Sequence, residues 1–242
     1  MSTSLLSGRA GLAVLIDPDR ISVVGAEELA RRAAGEGAAL LLLGNSFGPA
    51  GEGGELSSRL KRAAPEIPLV QFPAMASQLD AGVDAVLLLS LVSGRNAQYL
   101  IEEHVRAVPF FNRHPEVQAI STAYCLVDGG HVTSVESVSQ TRPLPADKPE
   151  VAAAHLRAAA LIGMHAAYLD AGSGASRAVG AGIIRAARDV WSGPLMVGGG
   201  IRGADSVRSA RAAGADIVVI GGVLEQQGGP RMLSALTVAA RA

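Results

Sequence analysis

Short apolar runs alternate with helix-length segments along the whole chain, and this alternation limits the folds open to it. The runs fall at residues 12–16, 38–43, 68–71, 84–89, 117–123, 166–169, 194–197 and 216–220. Several are apolar at every position, the pattern of a strand buried on both faces rather than on one. Strands of that kind, each followed by a helix, build parallel sheets. Helical patterns lie at 25–36, 55–64, 95–108, 148–162, 204–213 and 230–241. Another is marked by Val179, Ile183, Ile184, Ala187 and Val190. Leu100, His104, Val105 and Val108 are expected on one face of the 95–108 helix. Asp147 and Glu150 read as a capping box, with Pro149 in the first turn. After the third strand only residues 74–81 are available, so an irregular segment is expected in place of the third helix. Residues 128–146 lack periodicity and predict a long loop or a small hairpin. Eight strands without a composition break predict one domain over residues 1–242, a (β/α)8 TIM barrel. The alternative is a doubly wound open sheet, but no glycine fingerprint follows the first strand.

Composition narrows the function classes. The 242 residues carry a formal net charge of −1 without a basic cluster, which argues against nucleic acid as the main partner. The lone Cys125 rules out a disulfide framework and fits a reducing compartment. It is expected in the core. The first ten residues do not form a signal peptide, and no run approaches the ~18 apolar residues of a membrane span. The expectation is a cytoplasmic protein that touches membrane only transiently, on product release. The five histidines show no metal-ligand spacing and are expected on the surface or on helices.

In such a barrel the chemistry sits at the C-terminal ends of the strands. The seventh strand runs into Gly198-Gly199-Gly200, ahead of Ile201-Arg202. Glycines there let an anion approach several backbone N–H groups, and a helix N-terminus beside them adds partial positive charge. The bland alternative is a tight turn. Gly172-Ser173-Gly174 after the sixth strand and Gly221-Gly222 after the eighth extend the pattern to a three-strand phosphate pocket. Across the mouth, Asp17 offers a carboxylate and Ser46 a hydroxyl. That pair suits Mg²⁺, which completes its octahedron with water and phosphate oxygens; the alternative for Asp17-Pro18-Asp19 is a plain Asx turn. Ser90, and Ser121-Thr122 at the predicted end of the fifth strand, also fall at strand ends. Phe72, Leu89, Leu91 and Val92 supply an apolar stretch between the two anion ends. A substrate with a charged head and a greasy tail fits that layout.

These residues resemble the geranylgeranylglyceryl phosphate synthase family of TIM-barrel prenyltransferases and its heptaprenylglyceryl phosphate relatives. The matching segments are Leu15-Ile-Asp-Pro-Asp19, Leu43-Gly-Asn-Ser46, Gln71-Phe-Pro73, Leu89-Ser-Leu-Val-Ser-Gly-Arg-Asn96, Ile120-Ser-Thr-Ala-Tyr124, 145 to 154, Tyr168-Leu-Asp-Ala-Gly-Ser-Gly174, 197 to 202, and Ala215-Asp216 with Gly221. The resemblance implies that Asp17 and Ser46 hold Mg²⁺ on a prenyl diphosphate. It implies that the glycine pocket binds the phosphate of sn-glycerol 1-phosphate, whose hydroxyl displaces pyrophosphate to form an ether. Asp170 is then the expected base, with Tyr168 positioning the acceptor. The family commonly has Glu at Asp170, Gly-Asn at Gly221-Gly222, Gly at Ala74 and a Lys near the first strand, which leaves Arg9 or Arg202 in its place. Because three of these four departures fall at the acceptor end, a moenomycin-type transfer to 3-phosphoglycerate is a second expectation. A sugar-phosphate isomerase or non-catalytic relative is a third. A homo-oligomer is expected, with Leu100 or Trp191 in the core or at an interface.

Overall fold

The computed structural model describes residues 4–44, 55–225 and 229–241, which form a closed parallel barrel with strand order β1 to β8. The strands are β1 (Gly11–Ile16), β2 (Leu40–Leu43), β3 (Leu69–Gln71), β4 (Ala85–Leu91), β5 (Gln118–Leu126), β6 (Ala166–Asp170), β7 (Leu195–Gly198) and β8 (Ile217–Ile220). Helices α1 (Val23–Gly35), α2 (Glu55–Ala63), α3 (Glu103–Arg113), α5 (Pro149–Leu161), α6 (Ala181–Val190), α7 (Ala204–Ala212) and α8 (Gly229–Arg241) surround them. The short α4 (Ser134–Ser139) lies in the loop after β5. In place of a helix after β3 there is a single 3-10 turn, Ala76–Gln78.

The two-faced burial has a direct cause. Along β2, Leu40 and Leu42 point into the barrel with Ala13, Val70 and Val219, while Leu41 and Leu43 pack outward against the helices. Alternation puts successive side chains on opposite faces, and here both faces are dry. Each such leucine contributes roughly 1.5–3 kcal/mol of burial. Leu6 is fully buried with the inner cluster and closes the N-terminal end of the barrel, where the Leu5 N–H donates to Gln118. Cys125 is core, as expected: it is fully buried, and burial pushes its thiol up to about 12. Trp191 is core as well, 3% exposed, with Nε1 donating to the Pro194 carbonyl.

Four local expectations are corrected. The 128–146 stretch contains α4, begun by the Thr133 hydroxyl, which accepts from the Glu136 N–H. The Asp147 capping box does not form; Lys148 precedes α5 without a side-chain cap, and Pro149 alone pre-sets the first turn. The 95–108 helix starts as a π turn, Gln98–Glu102, and runs through Pro109 to Arg113. Val105 and Val108 are exposed, and it is His104 and Ala107 that face inward. Finally, β5 runs three residues beyond its predicted end, to Leu126. Ser121 therefore lies low on the strand, bonded to His165, and the Thr122 hydroxyl donates to the Ile120 carbonyl; neither reaches the mouth.

Two aspartates just ahead of strands hold the opposite end of the barrel. Asp84 accepts the Leu69 N–H and pairs with Lys61. Asp216 accepts the Leu195 N–H at 2.8 Å and lies 3.4 Å from Arg188. Residues at this end serve stability rather than catalysis. Asp216→Ala is expected to destabilise the fold by about 1–3 kcal/mol, because it orphans a strand N–H. At this size that lowers Tm by about 2–4 °C per kcal/mol. Calorimetry beside a turnover assay checks it: kcat and KM stay at native values.

Candidate active site

The strands deliver Asp17, Tyr168, Asp170, Ser173, Gly199, Gly200, Arg202, Gly221 and Gly222 to one end of the barrel. β1 stops at Asp17-Pro18-Asp19, where Asp17 Oδ1 accepts the Asp19 N–H at 3.0 Å and Oδ2 lies 3.3 Å from Arg20 Nε. Burial raises the Asp17 carboxyl, while the Asp19 N–H and the Arg20 charge pull it back. A second carboxylate stands here that the sequence reading did not single out. Glu225, in the loop after β8, lies 4.0 Å from Arg20, and it is raised first by burial and then by the charge of Asp17. Its signal in the sequence was slight: one acidic residue just beyond Gly221-Gly222. Ser46 lies outside the described residues.

Two partly desolvated carboxylates around one arginine leave negative charge that a divalent cation would neutralise. Among the described residues no three His, Cys, Asp or Glu side chains gather into a cage for a metal. The residues present therefore fit an ion that takes one or two carboxylates and draws its other ligands from phosphate and water, as Mg²⁺ does.

The glycine side is built by close packing. Gly199 and Gly200 both have left-handed backbone, φ +76° and +66°. A Cβ on Gly199 would lie 2.5 Å from Asp170 Oδ1 and 2.6 Å from the Gly172 nitrogen. One on Gly200 would lie 2.6 Å from the Arg177 carbonyl, and one on Gly198 would lie 2.2 Å from the Tyr168 hydroxyl. The triplet thus lets the loop after β7 nest against the loop after β6. α7 begins at Ala204, where the sequence predicts it, with Ile201, Arg202 and Gly203 between its start and the glycines. Gly198, the last residue of β7, and Gly172, whose N–H donates to Asp170 Oδ1 at 2.8 Å, are buried and do not line the cavity. Ser173, Gly199, Gly200, Arg202, Gly221 and Gly222 line the cavity itself. Arg202 also ties the β6 loop down by donating to the Ala175 carbonyl.

The sequence predicts two separate anion ends. The structure joins them: Asp17, Arg20, Gly199 and Gly221 line one cavity of about 540 Å³. Asp170 and Tyr168 are in its wall, 6% and 2% exposed. Burial raises the Asp170 carboxyl, against the hydrogen bonds it accepts from Tyr124 and Gly172. A raised carboxyl is a stronger proton acceptor once ionised.

Beside this cavity runs an apolar groove walled by Phe72, Met75, Leu89, Leu91, Tyr99 and His104. His104 Nε2 sits 2.7 Å from the Leu89 carbonyl, on a helix as expected but facing the groove. Phe72, Tyr124 and Val135 belong to both walls, so groove and cavity meet there. The rings of Phe72, Tyr124 and Tyr168 form a cluster with centroids 5.3–6.0 Å apart. Tyr124 lies one residue past the predicted end of the fifth strand, so the strand pattern alone does not bring it to the mouth. Ser90 is not available at the mouth, since its hydroxyl donates to the Leu100 carbonyl.

Comparison with known proteins gives a consistent picture. The model of the PcrB family matches residues 9–240. A geranylgeranylglyceryl phosphate synthase of Spirosoma linguale is 39% identical, over 98% of this chain and 93% of its own. One of Korarchaeum cryptofilum is 36% identical, over 90% of this chain and 88% of its own. Among solved structures, (S)-3-O-geranylgeranylglyceryl phosphate synthase from Thermoplasma acidophilum, in complex with its substrate sn-glycerol-1-phosphate, superposes with a TM-score of 0.87. It covers 99% of both chains at 24% identity, a likeness of fold.

Proposed function

The chain belongs to the PcrB family, and from that premise we propose how its residues join a prenyl group to the hydroxyl of sn-glycerol 1-phosphate. It is a prenyltransferase of the geranylgeranylglyceryl phosphate synthase type. Membership sets aside the isomerase expectation. The observation that supports the proposal is the meeting of a polar cavity and an apolar groove at Phe72 and Tyr124, beside the Asp170 carboxylate. The acceptor phosphate sits against Gly199, Gly200, Gly221 and Ser173, with Arg202 as the nearby cation. The prenyl tail lies in the groove, which excludes water from the reacting carbon. The acceptor oxygen forms a bond to C1 of the prenyl chain as the bond from C1 to the diphosphate oxygen breaks, and the acceptor proton passes to Asp170. Asp17 and Ser46 would hold Mg²⁺, which when bound neutralises charge on the departing pyrophosphate.

The test is pyrophosphate release and product mass from prenyl diphosphates of graded length, with glycerol 1-phosphate and 3-phosphoglycerate competing. Product carrying glycerol 1-phosphate is expected; a dominant 3-phosphoglycerate adduct would transfer the assignment to the second acceptor, and no pyrophosphate release from any donor overturns the reading. Asp17→Ala is expected to lower Mg²⁺-dependent turnover by at least ~10²-fold, the scale on which removing one charge-stabilising group acts. Acceptor binding, followed by calorimetry, stays intact. Titrating Mg²⁺ against both proteins checks the assignment, and unchanged Mg²⁺ dependence would refute it.

A further inference from the structure

Resting on the prenyltransferase reading, we propose that the Tyr124 hydroxyl is a catalytic group that relays the acceptor proton to Asp170. The two sit in different parts of the site. Asp170 belongs to the wall of the polar cavity alone, whereas Tyr124 belongs to both walls, at the junction where the acceptor oxygen must meet the prenyl carbon. The Tyr124 hydroxyl donates to Asp170 Oδ2 at 2.6 Å, and both residues are buried. Oδ1 is committed to the Gly172 N–H at 2.8 Å. The carboxylate is therefore oriented from both sides, and its Oδ2 reaches the junction through the phenol.

The ring is fixed for this work. Phe72 lies 6.0 Å from it edge-on and Tyr168 lies 5.5 Å away, also edge-on. Such contacts hold a ring in one orientation without consuming its hydroxyl. Tyr168 is placed differently: its hydroxyl lies over Gly198, and it does not wall the groove.

The step balances. As the acceptor oxygen bonds to C1, its proton moves to Tyr124 Oη and the Tyr124 proton moves to Asp170 Oδ2. Tyr124 ends as a phenol again, Asp170 ends neutral, and pyrophosphate leaves with the electron pair of the broken C–O bond. A chain of hydrogen bonds in a low-dielectric site favours such a concerted shift.

Tyr124→Phe keeps the ring and removes the relay. It is expected to lower kcat by ~100-fold, the scale of a lost acid–base group, with KM for donor and acceptor essentially unchanged. Adding Asp170→Glu restores reach by one methylene, and the double variant is expected to regain at least ~10-fold of that loss. In water of graded deuterium content, native kcat is expected to fall along a curve, because two protons move together, and Tyr124→Phe kcat along a straight line. A side chain with a merely structural role leaves the curve unaltered. Native kcat in Tyr124→Phe, a loss confined to KM, or a double variant no better than the single one overturns the relay. Should Tyr124→Phe fail to fold, the native enzyme alone decides: a straight-line dependence of kcat on deuterium content, the mark of one proton in flight, overturns it. Native enzyme measured in the same assay separates the two ideas, since a native protein that releases no pyrophosphate sinks the function itself.

Discussion

Asp170→Asn is expected to lower kcat by roughly 10²–10⁴-fold and, at neutral pH, to raise Tm. Both effects come from one placement. The carboxylate is buried at the end of β6, and burial raises its pKa above the ordinary aspartate value. The hydrogen bonds from Tyr124 and Gly172 offset part of that cost. A carboxyl whose folded pKa lies above its unfolded one favours the fold most when protonated. Its contribution is full below the ordinary aspartate value, near 3.9, and is lost as pH rises through the raised folded value. At neutral pH the native protein carries the cost of a buried charge, and an amide removes it. The Tm difference between the two proteins should thus be widest at neutral pH and close in acid. Calorimetry from pH 3 to 8 beside single-turnover kinetics measures both halves. A variant less stable than native at pH 7 would show that the two hydrogen bonds outweigh the burial.

Gly199→Ala is the second large effect, and it strikes both the fold and the acceptor. The residue holds φ +76°, where an L side chain costs about 1–2 kcal/mol. Its Cβ would also meet the Gly172 and Ala171 nitrogens at 2.6 and 2.7 Å, backbone atoms of the β6 loop. That loop has to move, and Asp170 Oδ1, 2.5 Å from the same point, moves with it. The expected outcome is a Tm lowered by several degrees, about 2–4 °C for each kcal/mol, with acceptor KM raised at least ~10-fold, the factor that corresponds to ~1.4 kcal/mol of lost binding. Gly222→Ala is the built-in contrast. A Cβ there meets its nearest neighbour, Glu225, only at 4.0 Å, and its backbone is not left-handed, so stability should hold. Equal Tm losses in the two variants would refute the packing account of Gly199.

The strands were legible because burial on both faces leaves an unbroken apolar run, as in Leu40–Leu43. The glycine ends were legible because close backbone approach excludes other residues. Helix starts were less so: Asp147 and Glu150 have the right spacing for a capping box, yet the chain enters α5 at Lys148 with the cap unmade. Side-chain identity at a given spacing permits a cap without requiring one. The end of β5 was missed because Tyr124, Cys125 and Leu126 continue an apolar run that already looked complete, and the error hid the residue that joins groove to cavity.

From its sequence alone, this protein is a (β/α)8 barrel with glycine-rich ends on its last three strands, an aspartate after the first, and segments that resemble a prenyltransferase family. The barrel and its glycine ends rest on local chemistry, the period of the apolar residues and the conformations that only glycine adopts readily, and the prenyltransferase expectation rests on the family resemblance. The tertiary structure alone decided three things. Asp17 and Gly199 line a single cavity, Glu225 joins Asp17 around Arg20, and Tyr124 stands against Asp170 across 46 positions of chain. Each is a contact between distant strands or loops, brought about by closure of the barrel. Distances of that kind follow from packing the whole sheet and leave no local mark in the order of residues.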